Sequence, residues 1–192
     1  DVWGDGPNYH RGHWLNGRAT ARTLASVVRE ICRASGASEP DVSDLHGLVQ
    51  GMLLEEVGTA REALQPLLLA HGVDVAERDG RLVFRNRQGV PVAEIDPEAL
   101  VLEDGAEAAL TLIRAPEAEL AGRVQVAFLE HGGDYASASA EAVLPDDPVP
   151  LVSRNALPLV LRRAEARSLA ERWLHEHRVA RDAARFALPP WL

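Results

Sequence analysis

The sequence predicts an α+β fold, mainly antiparallel β, with two to three packed helices and β-hairpins. Three observations carry that prediction. A capped helical stretch at 59–71 runs straight into a two-residue hairpin turn at Asp79-Gly80. Two further strand-like runs, Arg123–Glu130 and Tyr135–Val143, flank the turn His131-Gly132-Gly133-Asp134. Strands therefore arise from hairpins and short helical excursions, not from regular βαβ units.

Residues 1–18, DVWGDGPNYHRGHWLNGR, are rich in Gly, Trp and Asn and lack periodicity. They read as a Trp/Gly-rich leading segment with Trp3, Tyr9 and Trp14 as surface or anchor residues. Thr20 or Thr23 starts the first helix, whose buried stripe is Leu24, Val27, Val28, Ile31 and Cys32, and Gly36 stops it. Glu39 to Gly47 is a turn region, and Leu48–Leu54 is a short apolar strand. Thr59 and Glu62 have the spacing of a capping box. Leu64, Leu67, Leu68 and His71 follow on one helical face, with Gly72 at the left-handed end position. Pro66 removes a donor inside that helix, so a kink or a late start is expected.

The Asp79-Gly80 turn sets a register that pairs Glu77 with Leu82 and Val75 with Phe84. Val73, Val75, Leu82 and Phe84 then share one buried face, with Asp74 opposite Arg85 on the other. Val90–Ile95 is expected as a strand and Asp96–Leu100 as one helical turn with Pro97 at its first position. Leu110–Arg114 is a strand, and residues 145–150, PDDPVP, form a stiff acidic connector. Leu157–Leu161 leads into a last helix from Ala164 to about His177, with Ala166, Leu169, Ala170, Trp173 and Leu174 as its core face. Val179–Leu188 is a closing strand. The expected division is 1–88, a helix-plus-hairpin unit, and 89–192, an antiparallel unit with a C-terminal helix and strand.

The 192 residues are 46% hydrophobic, enough for a folded chain with a sizeable core. No run is long and apolar enough for a transmembrane helix, and nothing resembles a signal peptide. A chain opening on Asp1 rather than Met is expected to be a piece of a longer protein. All 20 basic residues are Arg, which GC-rich codon usage explains. The net charge of −9 argues against a general nucleic-acid binder, whose phosphate contacts require excess positive charge. Cys32 stands alone on an apolar helix face and reads as a buried structural thiol.

No catalytic, cofactor-binding or metal site emerges. His10 and His13, with Asp5 nearby, have no third ligand at a recognised spacing. His175 and His177 complement a helix C-terminus rather than form a ligand pair. Asp146-Asp147 and Glu117/Glu119 read as solvated acidic loops, since a glycosidase needs two carboxyls held apart across a cleft. Nucleophile elbow, Walker loop, dinucleotide fingerprint and His-Glu-x-x-His are all missing. The arginines from Arg162 to Arg185 read as a solvated helix face and strand exterior.

Longer phrases say more. Trp3-Gly4-Asp5, Asn8-Tyr9 and Gly12-His13-Trp14-Leu15-Asn16-Gly17-Arg18 lie in the leading segment. Arg114-Ala115-Pro116-Glu117-Ala118-Glu119-Leu120-Ala121-Gly122-Arg123, Gly133-Asp134-Tyr135 and the closing residues from Arg178 to Pro190 follow. Together they resemble the large tail hub protein of bacterial gene transfer agents and related siphophage tail-tip proteins. In particular the chain resembles the phage tail domain that follows a glycoside-hydrolase-like TIM-barrel domain in those proteins.

That resemblance implies a structural component of a tail tip or baseplate hub, built from small barrel-like subdomains and usually a homotrimer. It implies tail-tip and tail-tube proteins as partners, and a part in tail assembly, cell-envelope contact and DNA delivery. The protein would be made in the bacterial cytoplasm and located in the tail of a phage-like particle. The family's hydrolase-like residues would lie outside this segment, so none is carried over, and no cofactor is implied. Two other readings stand beside it: a fragment of a cell-wall glycan hydrolase, and a carbohydrate- or receptor-binding module that stacks a cell-surface glycan on Trp3, Tyr9 and Trp14.

Overall fold

Thr23 fixes the start of the first helix: its hydroxyl accepts the Ser26 N–H at 3.3 Å and satisfies a donor that the helix itself leaves open. The structure, a computed structural model, describes residues 21–54, 58–89, 91, 93–105, 107–132, 135–145 and 151–191. Strand β1 (Arg22–Thr23) leads into helix α1 (Leu24–Ala34) and pairs antiparallel with β2 (Leu48–Val49). Leu24, Val27, Val28 and Cys32 are buried on α1 as the spacing predicts, with Ile31 partly buried beside them. Past Val49 the expected strand reduces to a single bridge from Met52 to Leu159.

Helix α2 (Ala60–His71) carries the full capping box: Thr59 accepts the Glu62 N–H at 3.3 Å, and Glu62 accepts the Thr59 N–H at 2.7 Å. The helix starts at Ala60 and continues through Pro66, so the late start does not occur. The box secures the first turn ahead of the proline, and Leu64 and Leu67, both buried, hold the helix on either side of it. Gly72 ends it in the left-handed conformation at φ 60°, and its N–H bonds to the Leu68 carbonyl.

Strands β3 (Val73–Arg78) and β4 (Arg81–Asn86) follow in the predicted register, with Val75 opposite Phe84, Glu77 opposite Leu82 and Asp74 opposite Arg85. Asp79 and Gly80 both have positive φ, as a two-residue turn of matching twist requires. The buried face is smaller than expected. Val73 and Phe84 are buried and Leu82 is partly so, but Val75 is 39% exposed. The outer edge of β4 is covered, since Asp41 donates to the Leu82 carbonyl (2.8 Å) and accepts from the Phe84 N–H (2.9 Å). Strand β3, which carries Val75, has no second strand partner among the described residues.

The expected strand at Val90–Ile95 is corrected. Pro91 and residues 93–95 are exposed and unpaired in any sheet, and Val90 and Val92 lie outside the described residues. Pro91 lacks a ladder donor, which disfavours pairing there. A 3₁₀ turn (Pro97–Ala99) follows, capped by Asp96 as expected. Strand β5 (Leu110–Arg114) and a second 3₁₀ turn (Glu117–Glu119) lead to β6 (Ala121–Glu130) and β7 (Ser137–Val143).

The largest sheet has the order β7-β6-β8, where β8 (Leu151–Leu161) runs parallel to β6 and β7 antiparallel to it. Only the last part of β8 was expected. Pro158 argues against a regular strand, and the structure places it at a register shift between Ala127 and Leu129 of β6. The Pro158 carbonyl is still used, accepting the Leu53 N–H at 2.8 Å. Helix α3 (Arg163–Val179) packs across β6 and β7 and buries Ala166, Leu169, Ala170 and Leu174. The closing strand is shorter than expected, because Val179 belongs to α3 and β9 (Asp182–Phe186) pairs antiparallel with β5.

One core cluster includes Leu24, Val27, Leu67 and Phe84 together with Val124, Val126, Leu159, Leu169 and Leu174. Barrel closure, implied by the resemblance, is not seen: among the described residues no sheet exceeds three strands, and strands and helices form an open α+β arrangement.

Phe84 is 1% exposed in the middle of this core. Phe84→Ala is expected to cost about 3–5 kcal/mol of unfolding free energy. Val75→Ala, on the partner strand, should cost less than about 1 kcal/mol. Urea denaturation of both variants checks the asymmetry.

Candidate assembly surface

Strands β5 and β9 form a two-stranded ribbon in which every residue is exposed. Leu110 pairs with Phe186, Leu112 with Ala184 and Arg114 with Asp182, so these six share one face. That face is apolar at one end and closed at the other by the Arg114–Asp182 ion pair at 3.1 Å. Leu112 is 75% exposed, and Trp191, shortly after the ribbon, is 83% exposed. A ribbon of two strands is only marginally stable in water, and contiguous exposed apolar side chains mark contact surfaces.

Charged groups hold the ribbon to the rest of the fold. Glu117, in the second 3₁₀ turn, accepts hydrogen bonds from Arg178 at the end of α3 and from Arg181 just before β9, the latter at 2.7 Å. The Ala115 N–H donates to the Arg181 carbonyl at 2.9 Å, and Val101 donates to Ala187 at 3.0 Å. The Arg178 hydrogen bond, reinforced by the charges of Arg178 and Arg181, holds the Glu117 carboxyl below the usual carboxylate range.

A separate groove of about 1020 Å³ lies where the end of α1 and the start of α2 meet β6 and β8. Its wall is mostly apolar, with Ile31, Leu53, Leu54, Pro66 and Leu129 among its residues. Among the described residues that line it, the carboxylate is Glu62, which is engaged with Thr59 in the capping box.

Trp3, Tyr9, Trp14, His10, His13, Asp5, Asp146 and Asp147 lie outside the described residues. Glu117 and Glu119 are both exposed, and Glu117 in addition belongs to the clamp. His175 is exposed on α3, while His177 approaches the Trp173 carbonyl through Nδ1 at 3.3 Å. Among the described residues no cluster of three or more His, Cys, Asp or Glu could hold a metal, and no helix is long and apolar enough to cross a membrane. The arginine run is more structural than its pattern suggests. Arg178 and Arg181 are largely covered as they reach Glu117, and Arg172 donates to the Leu69 and Ala70 carbonyls at 2.8 and 2.9 Å. Those partners are so distant along the chain that no local spacing signals them.

An exposed apolar ribbon anchored by a charged clamp is a surface of the kind that assembly-forming chains present to a neighbour. Residues 59–192 match the family model described as "Putative phage tail protein", and the chain belongs to that phage tail family. Among solved structures, it is similar to a chain of the virion of a native gene transfer agent particle, at 51% identity and a TM-score of 0.85 over 98% of this chain. Weaker likenesses, of fold alone, are to a tail protein from Neisseria meningitidis MC58 (13% identity, 86% of this chain, TM-score 0.53) and to the 43 kDa tail protein of prophage MuSo2 from Shewanella oneidensis (16%, 96% of this chain, TM-score 0.50). The chain spans 43% of the virion protein and 50% and 53% of the two tail proteins. A comparison with curated proteins finds no match.

The Glu117 clamp gives a pH dependence. A carboxyl whose folded pKa is depressed contributes stability above its unfolded pKa, about 4.3, and loses it as pH falls through the folded value. Hydrogen-exchange protection of the Ala115 amide should therefore fall at acid pH below that point. In Glu117→Gln the protection should already be reduced at pH 7 and change less on acidification.

Proposed function

We propose that this chain is a non-catalytic structural segment of the tail-tip hub of a phage-like particle. The observation that carries the reading is the 51% identity, over nearly the whole chain, to a protein of a gene transfer agent virion. In this reading the full-length protein assembles as a homotrimer through heterologous interfaces, and its neighbours are tail-tip and tail-tube proteins. Its work is tail assembly, contact with the cell envelope and DNA delivery from a particle assembled in the bacterial cytoplasm. The β5–β9 ribbon is the surface a neighbouring tail subunit covers. Its exposed Leu110, Leu112 and Phe186 on one face, together with its marginal two-stranded build, support that assignment.

Two experiments test the reading. An antibody fragment against this domain should label the tail tip of purified particles by electron microscopy; absence of the protein from both intact and disrupted particles would sink the proposal. Leu112→Asp should leave the isolated domain within about 0.5 kcal/mol of its normal stability, because the side chain is exposed. In particles the same variant should be incorporated poorly, measured by immunoblot of purified tails. Normal incorporation would remove the ribbon from the interface.

A further inference from the structure

His71 occupies a junction of three parts of the fold. It lies in the last turn of α2, and its carbonyl accepts Asn86 Nδ2 of β4 at 3.1 Å. Asn86 Oδ1 in turn accepts the His46 N–H at 2.6 Å. The imidazole packs on the backbone of Gly47, where a Cβ would sit 2.8 Å from His71 Nδ1, so the loop has room for the ring only because residue 47 is glycine. From α3, Arg172 reaches in and donates to the Leu69 and Ala70 carbonyls.

A histidine at a helix C-terminus is ordinarily favoured as a cation, because the exposed carbonyls carry partial negative charge. Here a guanidinium has already taken those carbonyls. No hydrogen bond joins either His71 ring nitrogen to another described residue, so an added proton gains no fixed protein acceptor there. Burial, followed by the charge of Arg172, holds the imidazole below its ordinary range, while Glu165 of α3 acts in the opposite direction. The other charges around the junction are already committed. Glu176 of α3 pairs with Arg172 (3.6 Å) and Arg87 (3.9 Å), Asp74 of β3 pairs with Arg87 (2.9 Å), and Asp44 faces Arg85 (3.4 Å).

We propose that His71 and Arg172 form an acid-sensitive lock that docks the end of α2 and its hairpin onto α3. With His71 neutral, Arg172 can cap α2 and the ring can rest on Gly47. A second ring proton adds a like charge near Arg172 where Glu176, Asp74 and Asp44 are already paired with arginines and Glu165 offsets it only in part, so the guanidinium or the imidazole withdraws. Withdrawal of the guanidinium leaves the Leu69 and Ala70 carbonyls without their cap. Withdrawal of the ring disturbs the 46–47 loop, whose Gly47 carbonyl accepts the Leu24 N–H at 2.9 Å. The sign follows from linkage: a base whose folded pKa is lowered contributes full stability above its unfolded value near 6.5 and loses it as pH falls below that.

The test follows protection factors of backbone amides in the whole chain from pH 8 to pH 5, together with the NMR titration of His71. The Gly72 amide, bonded to Leu68, and the Arg87 amide, bonded to the Gly72 carbonyl, report the junction. The Val28 amide inside α1 serves as the reference. Protection at Gly72 and Arg87 should fall severalfold below pH 6.5 while Val28 holds, and His71 should titrate below 6.5. His71→Gln should flatten the profile at Gly72 and Arg87. A flat wild-type profile, a His71 midpoint at or above 6.5, or an unchanged fall in His71→Gln would each overturn the proposal. Should His71→Gln not fold, the wild-type midpoint and profile decide the matter alone.

Discussion

The guanidinium of Arg172 joins the two ends of the fold. Helix α2 ends with unpaired carbonyls that must find donors, and its own sequence supplies only Gly72 to turn the chain. Arg172 provides the missing donors from α3, more than a hundred positions further on, at Leu69 and Ala70. The hairpin that follows Gly72 is thereby fixed relative to the sheet that α3 covers. The buried cluster from Leu24 through Phe84 to Leu174 can then close as one body of side chains. Hydrophobic burial supplies most of the stabilisation, but burial has no direction, and this hydrogen-bonded cap sets the angle at which the parts meet.

Much of this was legible where the determinants are local. A two-residue turn with residues suited to positive φ leaves one register, and the pairing of Val75 with Phe84 follows from it. The stripes of α1 and α3 follow from their 3.6-residue period, because each helix has one face on the core. Reading failed where a distant partner decides. Strand β8 breaks alternation and contains Pro158, and it is a strand because β6 lies alongside and a register shift accommodates the proline. Val90–Ile95 has strand composition, but its described residues, Pro91 and 93–95, pair with no strand among the described residues. Leu110–Arg114 was correctly read as a strand, yet its composition gave no sign that both faces are exposed. Of the surface, little was legible. The Glu117 clamp and the Arg172 cap join residues that only the folded chain brings together, and Trp3, Tyr9 and Trp14, which sequence favoured, lie outside the described residues.

The ionised side chains with perturbed acidity serve to fix geometry. Carboxylates with lowered pKa values are bound to arginines, a capping group or a turn: Glu117 to Arg178, Glu130 to Arg163, Glu62 to Thr59 and Asp41 to Ser43. Their perturbation comes from favourable partners that stabilise the ionised form, the opposite of the strained environment that readies an acid for proton transfer. Membership of the phage tail family agrees with a chain whose polar groups serve to fix geometry.

The ribbon has one further consequence, which concerns force. Strands β5 and β9 bracket the whole β6–β7–β8 and α3 unit, and they pair with Leu110 opposite Phe186 at the outer end and Arg114 opposite Asp182 at the inner end. Tension entering along the backbone from both sides therefore meets the Val101–Ala187 bridge first, then Leu110–Phe186, and reaches Arg114–Asp182 last. Such loading peels hydrogen bonds one at a time instead of shearing them all together, so the ribbon opens pair by pair from its outer end.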